Sequence, residues 1–218
     1  ACFSAFGQGS DDPLENWEWR NPLPTGGTLW KIEFANGQFL AVGTAGEILT
    51  TADGKSWSYV ISGTKETLIG VTYGGDPGSG LYVAVGEAGT IVTSPDSVNW
   101  TERDSGIDAD LTGVTYGNGT FIAVGYVWTV ANGYEEKILS STNGIDWTEE
   151  TSATGTRLAT VIFAENQFLA VGGVPNSSAS VLTSPDGKTW TEQTTPVTQF
   201  LTGITTSGSL YVAVGESG

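Results

Sequence analysis

The sequence predicts an all-β fold, a β-propeller of four-stranded antiparallel blades. Three observations carry the prediction. The tripeptide Ala-Val-Gly occurs five times, ending at Gly43, Gly86, Gly125, Gly172 and Gly215, at spacings of 43, 39, 47 and 43 residues. A tryptophan follows each of the first four, at Trp57, Trp100, Trp147 and Trp190, spaced 43, 47 and 43. No segment sustains a helical period, while short runs alternate or are continuously apolar between turn residues. A repeat of about 43 residues that reads as four strands is the blade of a propeller.

The third unit shows the order of elements. Leu111-Thr112-Gly113-Val114-Thr115-Tyr116 is β-rich and alternates. Gly117-Asn118-Gly119 turns the chain with residues that accept positive φ. Phe121-Ile122-Ala123-Val124-Gly125 is apolar throughout, as a strand covered on both faces would be, and its small residues suit tight packing between blades. Lys137 to Ser141 supplies a third strand, Asn143-Gly144 a turn, and Asp146-Trp147-Thr148-Glu149 a polar fourth strand. The same division places blades at about 30–67, 68–110, 111–157 and 158–200. The fifth unit, 201–218, carries only two strands, and 1–29 is expected to complete it. In that reading five blades close two strands plus two, with Cys2 to Gly9 as third strand and Asn16 to Arg20 as fourth. The rival is part of a six- or seven-bladed ring.

Composition removes whole classes of function. The chain of 218 residues has 8 Lys+Arg, 24 Asp+Glu, no His and one Cys, a formal charge of −16. That excludes a His/Cys zinc site, a His-based triad and an intrachain disulfide. Strong negative charge repels nucleic acid and anionic lipid surfaces. The longest apolar runs fall far below the ~18 residues needed to span a bilayer, so no membrane span is expected. Abundant Tyr, Trp, Thr, Ser, Asn and Gly with few charges suits a bacterial-type secreted, periplasmic or cell-surface protein. A removed signal peptide would account for the Ala1-Cys2 start, and Cys2 is read as an idle thiol.

The hairpin between third and fourth strands has its own signature. It reads Ser/Thr-x-Asp/Asn-Gly-x-x-Trp at Thr51 to Trp57, Ser141 to Trp147 and Ser184 to Trp190. Ser94 to Trp100 is a copy with Ser97 in place of Gly. This resembles the Asp-box, or bacterial neuraminidase repeat, of sialidase-like propellers and photosystem II assembly-factor propellers. Here one residue fewer separates Asp from Gly. The resemblance supports the fold and says little of activity, because the box recurs among unrelated functions. Asp53, Asp96, Asn143 and Asp186 are expected to accept turn N–H groups, with Trp57, Trp100, Trp147 and Trp190 covering the hairpins.

A sialidase-like, glycan-processing enzyme is the alternative function that the resemblance implies. It would need three converging arginines, a Tyr/Glu nucleophile pair and an Asp acid. The chain has three arginines, Arg20, Arg103 and Arg157, at non-equivalent repeat positions, and the favoured expectation is a non-catalytic protein- or glycan-binding or assembly module. The binding candidates come from an asymmetry. From the Gly of Ala-Val-Gly to the box Trp takes 14, 14, 22 and 18 residues. The third unit therefore inserts residues 126–136 between its second and third strands, with Trp128, Tyr134, Glu135 and Glu136. Arg103 and Arg157 are expected on the same face of the ring. This insertion is expected to be an ordered loop that buries Trp128 against a partner, a second copy or the fourth blade. No cofactor is required, and Asp104, Asp108 and Asp110 are the candidate Ca²⁺ ligands.

Overall fold

The computed structural model describes residues 26–151, 155–175, 177–208 and 210–216, together with the strands Phe3–Ala5 (β1) and Trp17–Trp19 (β2). Twenty strands occur among the described residues, with no α-helix. Blade 1 is β3 (Leu29–Ala35), β4 (Gln38–Gly43), β5 (Glu47–Thr51) and β6 (Ser58–Ile61). Blade 2 is β7 (Leu68–Gly74), β8 (Leu81–Gly86), β9 (Ile91–Ser94) and β10 (Thr101–Arg103). Blade 3 is β11 (Asp110–Gly117), β12 (Thr120–Thr129), β13 (Gly133–Ser141) and β14 (Thr148–Glu150). Blade 4 is β15 (Arg157–Ala164), β16 (Gln167–Val174), β17 (Ser178–Ser184) and β18 (Thr191–Glu192). Each is a four-stranded antiparallel meander. The fifth unit contributes β19 (Leu201–Ser207) and β20 (Leu210–Gly215) as a two-stranded sheet, and β1–β2 is another.

All five units share a defect at the same place. The register between first and second strands slips just after Leu29, Leu68, Leu111, Leu158 and Leu201. The bulge explains the glycine of Ala-Val-Gly. A Cβ on Gly43, Gly86, Gly125, Gly172 or Gly215 would overlap the carbonyl oxygen of Thr28, Thr67, Asp110, Arg157 or Phe200, the residue before each repeated Leu. That glycine is thus demanded inside the blade, by its own first strand, rather than by packing between blades.

Blades stack face to face through three apolar clusters. The cluster between blades 1 and 2 joins Leu40, Val42 and Ile48 to Leu68, Val71 and Tyr82. Val83, Val85 and Ile91 meet Leu111, Val114 and Phe121 in the next, and Ile122, Val124 and Ile138 meet Leu158, Val161 and Phe168 in the third. First strands touch in the order β3, β7, β11, β15, β19, so they form the inner wall. That series does not return to β3. Val42, Val85, Val124 and Val171 are fully buried, yet their equivalent Val214 is 60% exposed. On the opposite end face Ile32 is 51% exposed, although its equivalent Val71 is buried. Among the described residues no strand spans the gap between β20 and β3, and β1–β2 and β19–β20, expected to combine as one blade, pair as separate sheets. Cys2 and Arg20, which that expectation also uses, lie outside the described residues.

Candidate functional site

The repeated box is built as a turn staple. Asp53 Oδ1 accepts the N–H groups of Lys55 and Ser56 at 2.8 Å each. Asp96 does the same for Val98 and Asn99, Asn143 for Ile145 and Asp146, and Asp186 for Lys188 and Thr189, all within 2.8–3.0 Å. The hydroxyls of Thr51, Ser94, Ser141 and Ser184 donate to the same oxygens. These bonds, the one from Ser56 N–H foremost, hold the Asp53 carboxyl down to about 2, and equivalent bonds lower Asp96 and Asp186. Trp100, Trp147 and Trp190 each donate Nε1–H to the carbonyl three residues back, at 3.0–3.2 Å. Their rings pack beside Tyr82, Phe121 and Phe168 of the second strands. The Nε1 of Trp57, the box tryptophan of blade 1, is buried and finds no acceptor among the described residues.

Ser97 shows why one box dispenses with glycine. It holds φ at +63°, a region that costs a side chain strain. In return its Oγ accepts 2.7 Å from Gln38 Nε2 of blade 1, and Gln38 also reaches Tyr82 Oη. The strained serine ties two blades together.

The side of the ring carrying second-to-third hairpins differs from blade to blade. In blades 1 and 2 these connections are tight three-residue turns. In blade 3 the inserted residues form strand rather than loop. Strands β12 and β13 continue their pairing through Tyr126↔Glu136, Val127↔Glu135, Trp128↔Tyr134 and Thr129↔Gly133. A two-stranded overhang results, because β11 starts opposite Tyr126 and β14 pairs no further than Ile138. The expected loop is an extended hairpin because Tyr126, Val127, Trp128 and Thr129 are all good strand formers, as is Tyr134 opposite Trp128.

The tip is tied internally. Glu135 accepts from Asn132 Nδ2 at 2.7 Å, and Asn132 N–H donates to Thr129 Oγ1. Glu136 instead accepts the Thr156 N–H at 3.0 Å, fixing the overhang to the segment that enters blade 4. Tyr126 and Tyr134 meet edge to face at 5.5 Å. Trp128 stays 58% exposed and Val130 90% exposed. The fourth blade therefore does not bury Trp128.

Of the arginines, Arg157 stands beside this hairpin and Arg103 does not. Arg103 lies on β10, an outermost strand, and donates Nε–H to Thr93 Oγ1 at 2.8 Å. Arg157 opens β15, an innermost strand. Its guanidinium carbon lies 4.5 Å from the Tyr126 ring centre and 5.0 Å from that of Phe200. Burial raises the Tyr126 hydroxyl above its usual range, with Arg157 pulling it down and Asp110, its hydrogen-bond acceptor, pushing it up. Phe200 escapes a reading of the sequence focused on insertions. The available signal is the repeat position before each bulge Leu, occupied by Thr28, Thr67, Asp110, Arg157 and Phe200, which gathers unlike side chains at one end of the inner wall.

Asp104, Asp108 and Asp110 do not come together. Asp104 accepts from Gly106 N–H and Asp110 from Ala88 N–H, and among the described residues no three His, Cys, Asp or Glu side chains form a metal-binding group. No described helix is long and apolar enough to cross a membrane.

No protein-family model matches the chain, and no curated protein matches it. The Asp-box resemblance rests on the quoted residues alone. Solved structures do match. The chain is similar to YCF48 bound to D1 peptide, at 20% identity and a TM-score of 0.64, over 94% of this chain and 67% of that one. It is similar to YCF48 from Cyanidioschyzon merolae at 19% identity and a TM-score of 0.62, over 94% and 70%. It is also similar to the WD40 β-propeller domain of Doa1 at 11% identity and a TM-score of 0.65, over 88% and 64%. The chain thus spans about two thirds of the length of these structures. Four meander blades stacked around shared first strands, together with these likenesses, establish that the chain has a β-propeller fold.

Proposed function

We propose that the protein is a non-catalytic propeller that binds another protein, as an assembly or recognition module, on an exported or cell-surface molecule. The observation that carries this reading is the β12–β13 overhang. A strand hairpin that projects beyond its blade, is tied at its tip and shows a tryptophan and a valine to solvent is a contact surface in search of a cover. One structural neighbour is described as bound to a peptide, which shows that a propeller of this kind can hold one. A glycan partner and self-association use the same aromatic surface and are competing outcomes. The sialidase-like alternative draws no support from the arginines, since Arg103 and Arg157 sit at opposite margins of their blades.

The test replaces residues 127–136 by a Gly-Asn turn. The shortened protein is expected to melt within a few degrees of the original, because blade 3 retains its clusters. Association in a pull-down or by sedimentation is expected to disappear. Unchanged association removes the hairpin from the proposal. A large fall in melting temperature shows instead that the overhang belongs to the fold.

A further inference from the structure

We propose that Arg157 is a carboxylate anchor, and that the partner on the overhang is an extended peptide segment with an apolar side chain two residues from that carboxylate. The proposal rests on the protein-binding reading above. Its first support is that Arg157 is uncommitted in a chain rich in acids. With 24 Asp+Glu against 8 Lys+Arg, a cation has many potential partners. Lys137 takes one, Glu149 at 2.7 Å. The Arg157 side chain makes no ion pair or hydrogen bond among the described residues, and its Nε is buried without an acceptor. The nearby acids are engaged elsewhere, Asp110 with Tyr126 and Ala88 N–H, and Glu136 with Thr156 N–H.

Preorganisation is the second support. The guanidinium lies over the rings of both Tyr126 and the buried Phe200, contacts that restrict its motion before any ligand arrives. A planar fork held in place matches a carboxylate through two parallel hydrogen bonds, at little further entropic cost. Phosphate would fit the same fork, but a charge of −16 disfavours a ligand with several negative groups. One carboxylate on an otherwise neutral or basic segment meets both conditions.

Geometry supplies the apolar requirement. Tyr126 and Trp128 lie two residues apart on β12 and so project from the same hairpin face, roughly 6.6 Å apart along the strand. An extended peptide has the same two-residue spacing. With its carboxylate at Arg157 over Tyr126, its next side chain on that face falls at Trp128. Beyond Tyr126 no strand among the described residues pairs with the inner edge of β12, which leaves room there for an added strand.

The experiment measures binding of three eight-residue peptides to the full chain by Trp fluorescence. One has Leu two residues before a free C-terminal carboxylate. The second is its C-terminal amide. The third is an amide with Glu at the terminal position. The free acid, the Glu peptide or both should bind about tenfold more tightly than the plain amide, and which of them does identifies the source of the carboxylate. That ratio should collapse to one in Arg157→Gln and shrink strongly in Arg157→Lys, which keeps the charge and loses the fork. A structural role for Arg157 would weaken all peptides together and leave the ratio intact, and that result overturns the anchor. Equal binding of acid and amide by the unaltered protein, or no binding of any peptide at millimolar concentration, overturns it as well. If shortening the hairpin abolishes association with a protein partner while acid and amide bind alike, the docking reading survives and the anchor fails.

Discussion

The Asp186 carboxylate and the Asn143 amide make the same two bonds to backbone N–H groups two and three residues ahead. Acceptance, not charge, is what the turn requires. Asp186→Ala is therefore expected to destabilise by about 1 kcal/mol, the usual cost of removing a side-chain cap, and Asp186→Asn by much less, both measured by denaturant unfolding. The carboxylate boxes also carry a pH signature that the Asn143 box lacks. Asp53 is lowered to about 2 from 3.8. A depressed carboxyl stabilises the fold above its unfolded value, and that contribution is lost as pH falls from about 4 towards 2. A protein carrying Asp53→Asn, Asp96→Asn and Asp186→Asn together should show a flatter loss of stability across that window. An unchanged acid slope would mean that other carboxyls govern acid unfolding. Gly125 is under a different constraint, since a methyl group there meets the Asp110 carbonyl. Gly125→Ala should cost at least about 2 kcal/mol, in the range of overpacking, although Gly125 has the look of an ordinary strand residue.

Among the elements, the second strand gives the blade its character. It is apolar on both faces because one face meets the preceding blade and the other the following one. The box tryptophan extends that contact outward. Trp147 packs on the cluster between blades 2 and 3 and bonds Gly144. Trp147→Ala should cost about 3 kcal/mol, the range for large-to-small changes against a core, read from thermal or chemical unfolding. A cost near zero would show that the ring only shields the hairpin. The overhang makes the complementary point. Its length was legible as a count from Gly125 to Trp147. Its form was not, because whether the eight residues beyond the 14-residue spacing of blades 1 and 2 become a loop or a continued ladder depends on whether β12 and β13 hold their register past the blade.

For the molecule as a whole, the gap between β20 and β3 is the decisive feature. Val214 matches Val42, Val85, Val124 and Val171, and Ile32 matches Val71, Val114 and Val161, all of them buried, yet both are exposed here. Two-plus-two closure, with β1–β2 added beside β20, is a proposal with a clear consequence. In a closed ring Val214→Asp and Ile32→Asp place a charge inside a blade interface and should each lower Tm by about 10 °C. In an open arc neither should shift it by more than a degree or two. Deleting residues 1–20 should, under closure, bring aggregation or a comparable loss of Tm. A truncated protein that stays monomeric and melts normally rules closure out.

The repeat markers determined the blade, its strand order and the box, because each is enforced by neighbours within about 43 residues of chain. Local sequence carries such constraints directly, as Gly for a close approach, Asn or Asp for a turn, and a doubly apolar strand for two covered faces. The tertiary structure alone decided that Arg103 and Arg157 part company and that Phe200 joins Tyr126 around Arg157. Those outcomes depend on which side chains three successive blades bring to one end of the inner wall. Contact between units 40 or more residues apart leaves no periodic trace when the residues involved are the ones that break the repeat.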